Sequence, residues 1–171
     1  PIKTDTPEFD EAEKHVRGRI EQLLNTRGTQ PVDHFHKRLG KVMWEKCGMA
    51  RNAKGLQEAI GEIRAIREDF WKNVRVPGKA DEFNQELEKA GRVADFLELG
   101  ELMCKDALHR NESCGGHFRE EYQTEEGEAL RDDNNFAYVG AWEWKNDPGA
   151  AELHKEALKF TVLQLSQRSY K

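Results

Sequence analysis

Residues 53–73 read AKGLQEAIGEIRAIREDFWKN, and the reading of this stretch decides the fold. Leu56, Ala59, Ile60, Ile63, Ile66 and Phe70 recur at three- and four-residue spacing, which lays a single apolar stripe along a helix. The residues between them are mostly charged, so the opposite face is solvated. Asn52 precedes the run and Val76-Pro77-Gly78 breaks it. The same texture repeats on both sides. Upstream, Pro31 opens a helix carrying Phe35, Leu39, Val42 and Met43 that ends near Gly48. Ahead of that, Thr6-Pro7 supplies a cap followed by proline at the first helical position, and Phe9, Ala12, Val16, Ile20, Leu23 and Leu24 continue to Gly28. Downstream, a fourth helix runs from about Asp81 to His109 through Phe83, Leu87, Ala90, Val93, Ala94, Leu97, Leu102 and Met103. The spacing thus predicts helices over 8–27, 32–47, 53–73 and 81–109, with strand only after Asn135. The short Arg75–Lys79 connection sets the third and fourth helices antiparallel.

Beyond Arg110 the periodicity stops. Asn111 to Asp133 has two adjacent glycines and many charges, and reads as an ordered loop. Its backbone groups need side chains, water or a partner to satisfy them, which predicts the least protected internal segment. Phe118 and Tyr122 are its large apolar anchors. Phe136, Tyr138, Trp142 and Trp144 then alternate with Ala137, Val139 and Ala141, as in a half-buried strand. Asn146-Asp147-Pro148-Gly149 is a turn signal, and Leu158 to Leu165 is the candidate partner strand. The expected architecture is mainly α: an antiparallel helical bundle over 1–110, then a loop and a short C-terminal β-hairpin over 111–171, packed as one domain.

With 171 residues there is room for one domain and little more. Apolar residues make up 37%, charged residues 35% and mean hydropathy is −0.89, a lean core for long helices that suits a domain leaning on a neighbour. A chain opening at Pro1 is expected to be a piece of something longer. The net charge of −5 argues against a nucleic-acid partner, because no basic face neutralises phosphates. No stretch approaches the roughly 18 apolar residues of a membrane span. Cys47, Cys104 and Cys114 are odd in number and form no CxxC pair, which suggests reduced thiols in an intracellular setting.

Chemistry-bearing residues concentrate in Arg110-Asn111-Glu112-Ser113-Cys114-Gly115-Gly116-His117-Phe118-Arg119 and in Arg131-Asp132-Asp133. Four readings are open. Cys114 and His117 are half of a metal site that lacks its second pair. Cys114 is a nucleophile with His117 as its base, although the two are very close in sequence. Gly115-Gly116 cradles an anion between Arg110 and Arg119. The plainest reading is a connector held by Arg–carboxylate pairs. His34 and His36, two apart on a helix, diverge and make a poor ligand pair. Trp44 and Trp71, at helix ends, read as packing anchors, and Trp142 and Trp144 as core or as a contact with a partner. No GxGxxG, Walker motif or nucleophile elbow is present, so nothing marks a self-contained enzyme.

The pattern Arg110-x-Glu112-Ser113-x-Gly115-x-His117, then Arg119, then Arg131-Asp132-Asp133, resembles the signature of the C-terminal domain of succinate dehydrogenase and fumarate reductase flavoproteins. The usual form carries Arg where Cys114 stands and Ala where Gly116 stands. Leu39 to Cys47, Gly55-Leu56 opening a helix, and a long helix running into the motif also fit, so the resemblance covers about residues 30–145. The final Gln167 to Lys171 looks like a natural C-terminus. The resemblance implies a spectrin-like bundle ending a flavoprotein that interconverts succinate and fumarate on a covalent FAD. Electrons would pass to an iron–sulfur subunit and a quinone-binding membrane anchor, placing the chain in the cytoplasm at the membrane. In that family the FAD-binding domain and the catalytic residues precede this domain, so no catalytic, cofactor-binding or metal residue is assigned here. Arg110, Glu112, Ser113, Gly115, His117, Arg119, Arg131, Asp132 and Asp133 are expected to be structural or interface residues. An independent interaction module and the end domain of L-aspartate oxidase are the alternatives.

Overall fold

The computed structural model describes residues 3–166; the C-terminal stretch Gln167–Lys171 lies outside them. Four long helices dominate: α1 Pro7–Asn25, α2 Val32–Lys46, α3 Ala53–Asn73 and α4 Gln85–His109. A one-turn helix α5, Asp133–Phe136, precedes the antiparallel hairpin of β3 (Tyr138–Glu143) and β4 (Glu152–Ala157). The mainly α reading with a C-terminal hairpin holds. The chain forms two compact units, Pro1–Leu39 with Ala65–Leu97, and Gly40–Arg64 with Glu98–Lys171.

In the first unit, Phe35 and Phe70 meet edge to face at 5.3 Å and are fully buried. Val32, Leu39, Ile66, Val74, Ala90, Val93, Ala94 and Leu97 complete the core. Of the α1 stripe only Leu23 is buried; Phe9 is 46% and Val16 55% exposed. The expectation of strand only after Asn135 is corrected here. Gln30–Pro31 (β1) pairs in parallel with Val74–Arg75 (β2). Two residues carry no period, so this pairing leaves no trace in the sequence. It depends on Gly28, whose N–H donates to the Val74 carbonyl at 3.2 Å and whose missing side chain lets the chain lie on Asn73. The fourth helix starts at Gln85 rather than Asp81, because Asn84 caps it: its Oδ1 accepts from the Leu87 N–H at 3.0 Å. Phe83 therefore falls outside the helix and is exposed.

In the second unit Leu56, Ala59, Ile63, Cys104 and Ala107 form the core with Val42 and Cys47. Glu101 is buried there and accepts from Arg64 Nε at 2.7 Å. Trp44 is 82% exposed, so it is no packing anchor. The second strand is Glu152–Ala157, not Leu158–Leu165. The register Tyr138↔Ala157 to Glu143↔Glu152 is set by the short turn at Asp147–Ala150, so pairing is used up before the apolar tail begins. Phe136 lies in α5, capped by Asp132, and leaves the strand face to Tyr138 and Trp142. The hairpin is fastened to the last turns of α4. Lys105 Nζ donates to the carbonyls of Pro148, Gly149 and Ala151 at 3.3, 3.0 and 3.0 Å. The Trp142 indole N–H donates to Asp106 at 2.7 Å, so Trp142 packs within the chain.

Candidate functional site

The charged segment after α4 folds back on the end of that helix. A helix C-terminus leaves its last carbonyls without intrahelical donors. Arg119 supplies them: its Nη1 donates to Ala107 O at 2.9 Å and Leu108 O at 3.3 Å, and reaches Arg110 O at 3.5 Å. The side chain is only 2% exposed, and Glu121 accepts from its Nε at 3.1 Å. A cation at a helix C-terminus also complements the helix dipole. Ser113, fully buried, holds Arg119 in place from both sides. Its Oγ accepts from the Arg119 N–H at 2.8 Å and donates to the Arg119 carbonyl at 3.1 Å.

Between these two residues the chain makes a tight reversal. Cys114 and His117 exchange backbone hydrogen bonds of 2.8 and 3.0 Å, with Gly115 left-handed at φ +58° between them. That is the backbone a two-residue hairpin needs and a glycine adopts freely. Glu112, buried at 3%, lies 3.0 Å from Arg110 Nε and accepts from the Asp132 N–H at 2.9 Å. Asp132 in turn caps α5, and Arg131 pairs with Asp133 at 2.5 Å. Arg110 donates to Phe136 O at 2.6 Å. All nine motif residues therefore belong to one bonded segment, with Glu112, Ser113 and Arg119 inside and Asp133 at the rim. Its most buried side chain is Arg119 rather than Phe118 or Tyr122, and much of its backbone is bonded within the chain.

The residue that the sequence analysis passed over is Arg51, in the α2–α3 link. Its backbone pairs with Phe118 and Glu120 at 3.0 and 2.8 Å, and its Nη1 lies 3.0 Å from His117 Nδ1. Only the resulting bridge between distant segments reveals it; in the sequence it is one more surface arginine.

His117 has no capacity left for chemistry. Nε2 donates to the Arg110 carbonyl at 2.9 Å, which leaves Nδ1 to accept from Arg51. Burial chiefly, and then Arg51, Arg119 and Arg110, push its pKa below the ordinary 6.5, against the Arg110 carbonyl that raises it. With Arg51 on Nδ1 and the Arg110 carbonyl on Nε2, the ring has no free lone pair to take a proton from Cys114. A depressed histidine leaves stability untouched above about pH 6.5 and reduces it as pH falls from there toward the folded-state value. Denaturant midpoints between about pH 7.5 and 5.5 are expected to fall with pH, and less steeply in His117→Gln. A residual slope remains from His109, lowered by burial first and then by Lys155. Equal slopes in wild type and H117Q would remove His117 from this account.

The two departures from the usual motif lie at the surface, and the substitution of Cys114 removes whatever role the usual Arg carries. Cys114 and Gly116 are exposed at the tip of the reversal, and a Cβ on Gly116 would meet nothing within 4 Å.

Residues 36–170 match the family described as fumarate reductase flavoprotein C-term. The chain is 29% identical over 161 residues to the fumarate reductase flavoprotein subunit of Haemophilus influenzae, covering 94% of this chain and 26% of that protein. A solved quinol–fumarate reductase with menaquinol molecules superposes with a TM-score of 0.78 at 26% identity, over 95% of this chain and 27% of its own. L-aspartate oxidase of Synechocystis sp. is a weaker match, 23% identical over 132 residues, 70% of this chain and 23% of that protein. The chain spans about a quarter of the length of the curated relatives it matches. Motif, fold and sequence similarity agree: the chain belongs to the family of C-terminal domains of fumarate reductase and succinate dehydrogenase flavoproteins.

Proposed function

We propose that the chain acts as the C-terminal scaffold and interface domain of a flavoprotein that interconverts succinate and fumarate. In this reading residues 1–110 and 111–171 act as one domain. FAD and the hydride-transfer residues belong to a preceding FAD-binding domain. Electrons leave through an iron–sulfur subunit toward a quinone-binding membrane anchor, with the whole assembly on the cytoplasmic side. No described helix is long and apolar enough to cross a membrane.

The observation that carries the reading is how the motif uses its polar groups. Arg119 caps α4, both nitrogens of His117 are engaged, and Glu112 accepts from the Asp132 N–H and forms an ion pair with Arg110. A segment bonded inward in this way holds a shape and offers no poised nucleophile or base. Surface exposure supports the interface half of the proposal. Phe9 and Val16 on α1, and Val162 and Leu163 after the hairpin, are 46%, 55%, 90% and 74% exposed. Apolar surface of that kind is suited to being covered by a neighbouring domain.

Two measurements test the proposal together. The isolated chain is expected to purify without flavin absorbance and without activity on succinate or fumarate; a yellow protein would overturn the division of labour. Co-expressed with the FAD-binding domain it is expected to co-purify, with amide exchange slowed over Phe9–Val16. Unchanged exchange there on complex formation would remove α1 from the interface.

A further inference from the structure

Glu143 and Glu152 stand directly opposite each other in the last pair of the β3–β4 ladder before its turn. Like charges in that position destabilise an antiparallel pair, so the arrangement calls for a cation. His154 lies two residues further along β4 and leaves the same face of the hairpin. That face is turned away from α4, because Trp142, on the other face, is the residue that bonds Asp106. All three side chains are exposed. An oxygen of each carboxylate and a ring nitrogen of His154 lie within 4.8 Å of one another. Among the described residues no other three His, Cys, Asp or Glu side chains come so close together.

The chain answers the two carboxylates only in part. Lys145 Nζ lies 2.5 Å from Glu143 Oε1 and 3.7 Å from Glu152 Oε2, so one ammonium spans both. It brings a single positive charge to two negative ones, and it cannot accept the lone pair of an imidazole. His154 Nε2 lies 2.8 Å from Glu143 Oε2; an ionised carboxylate only accepts, so the ring donates there. Exposed ion pairs of this kind contribute little, which leaves Lys145 easy to displace. A divalent ion supplies the missing charge and uses the nitrogen that the ammonium cannot.

We propose that Glu143, Glu152 and His154 form a surface site for a divalent transition-metal cation of the zinc class, which clips β3 to β4 beside their turn. One imidazole among the ligands selects against magnesium and calcium, which take oxygen donors. Ligand atoms bound at about 2.0–2.2 Å stand about 3.3–3.6 Å apart in a tetrahedron. Closing from 4.8 Å to that spacing needs only side-chain rotation, because glutamate has three rotatable bonds and the hairpin register already sets the three residues side by side. On binding, His154 turns the Nε2 lone pair to the ion and carries its ring hydrogen on Nδ1, and Lys145 swings out to solvent. Water completes the shell, since three protein ligands leave a fourth position open. The inference does not rest on the succinate–fumarate reading.

The test is a calorimetric titration of zinc chloride into the full 171-residue chain after metal is stripped with EDTA. A micromolar zinc site is expected, with magnesium chloride giving no binding heat at the same concentrations. His154→Ala is expected to weaken zinc at least about tenfold. Lys145→Met removes the competing ammonium and is expected to tighten it severalfold. A second readout needs no variant: trace Mn2+ added to the wild-type chain is expected to broaden the amide resonances around Glu143–Lys145 and Glu152–His154, and zinc to reverse the broadening. Absence of zinc binding, equal affinity in H154A, or no tightening in K145M would overturn the proposal. So would magnesium bound as well as zinc, or broadening centred elsewhere, for instance on His34 and His36.

Discussion

Replacing Arg119 by methionine is expected to cost about 3–5 kcal/mol, the range for removing one partner from a buried charged network. The guanidinium is 2% exposed and is the donor for Ala107 O and Leu108 O at the end of α4. Methionine fills the space but donates nothing, so those carbonyls lose their partner away from water, and Glu121 loses its ion pair. For a chain of this length the unfolding midpoint is expected to drop by about 10 °C or more. Arg119→Lys restores the charge without the planar fork and is expected to recover only part of the loss. Arg17→Met, on an α1 face where the arginine side chain is 71% exposed, is the control and is expected to shift stability by less than about 0.5 kcal/mol. Thermal unfolding of the three variants checks the ranking; R119M within error of R17M would show that the buried guanidinium holds nothing.

The second large effect comes from one methyl group placed at two glycines. A Cβ on Gly28 would stand 1.9 Å from the carbonyl carbon and oxygen of Asn73. Backbone cannot rotate aside as a side chain can, so the α1–α2 link must lift away. It then loses the Gly28–Val74 hydrogen bond, the Thr29 N–H to Asn73 Oδ1 bond of 3.1 Å, and the β1–β2 pair. Gly28→Ala is expected to cost about 3 kcal/mol or more, the upper end of overpacking penalties. Gly18 lies within α1, exposed, and a Cβ there meets nothing within 4 Å. Gly18→Ala is expected to stabilise by about 0.5–1 kcal/mol, because alanine loses less backbone entropy in a helix. Denaturant unfolding of the two variants should move in opposite directions. A neutral G28A would mean that the close approach to Asn73 is not maintained in solution.

The four long helices were legible because their packing is written as period. Leu56, Ala59, Ile60, Ile63, Ile66 and Phe70 were placed on one stripe of α3 by spacing alone, and all but the half-buried Ile60 are buried. The hairpin was half legible. Tyr138 and Trp142 were assigned correctly to β3, but the apolar run 158–165 drew the second strand away from the polar Glu152–Ala157. Alternation identifies a strand only when one face is buried, and β4 is exposed at all but Leu153. The start of α4 was missed because an asparagine cap is a side-chain geometry, and Asn84 was one polar residue among several.

The sequence by itself determined the helical class, the order of its elements and the position of the motif. Those follow from local propensity and periodicity, which act between residues a few positions apart. Only the tertiary structure decided what the motif does. Arg119 and Arg131 look alike in the sequence, yet one is buried against helix carbonyls and the other pairs with Asp133 near the surface. Cys104 lies 3.9 Å from Met43 across 61 positions, and Arg51 meets His117 across 66. Such assignments depend on which donors and acceptors the fold brings within about 3 Å of each other, a distance that no spacing along the chain encodes.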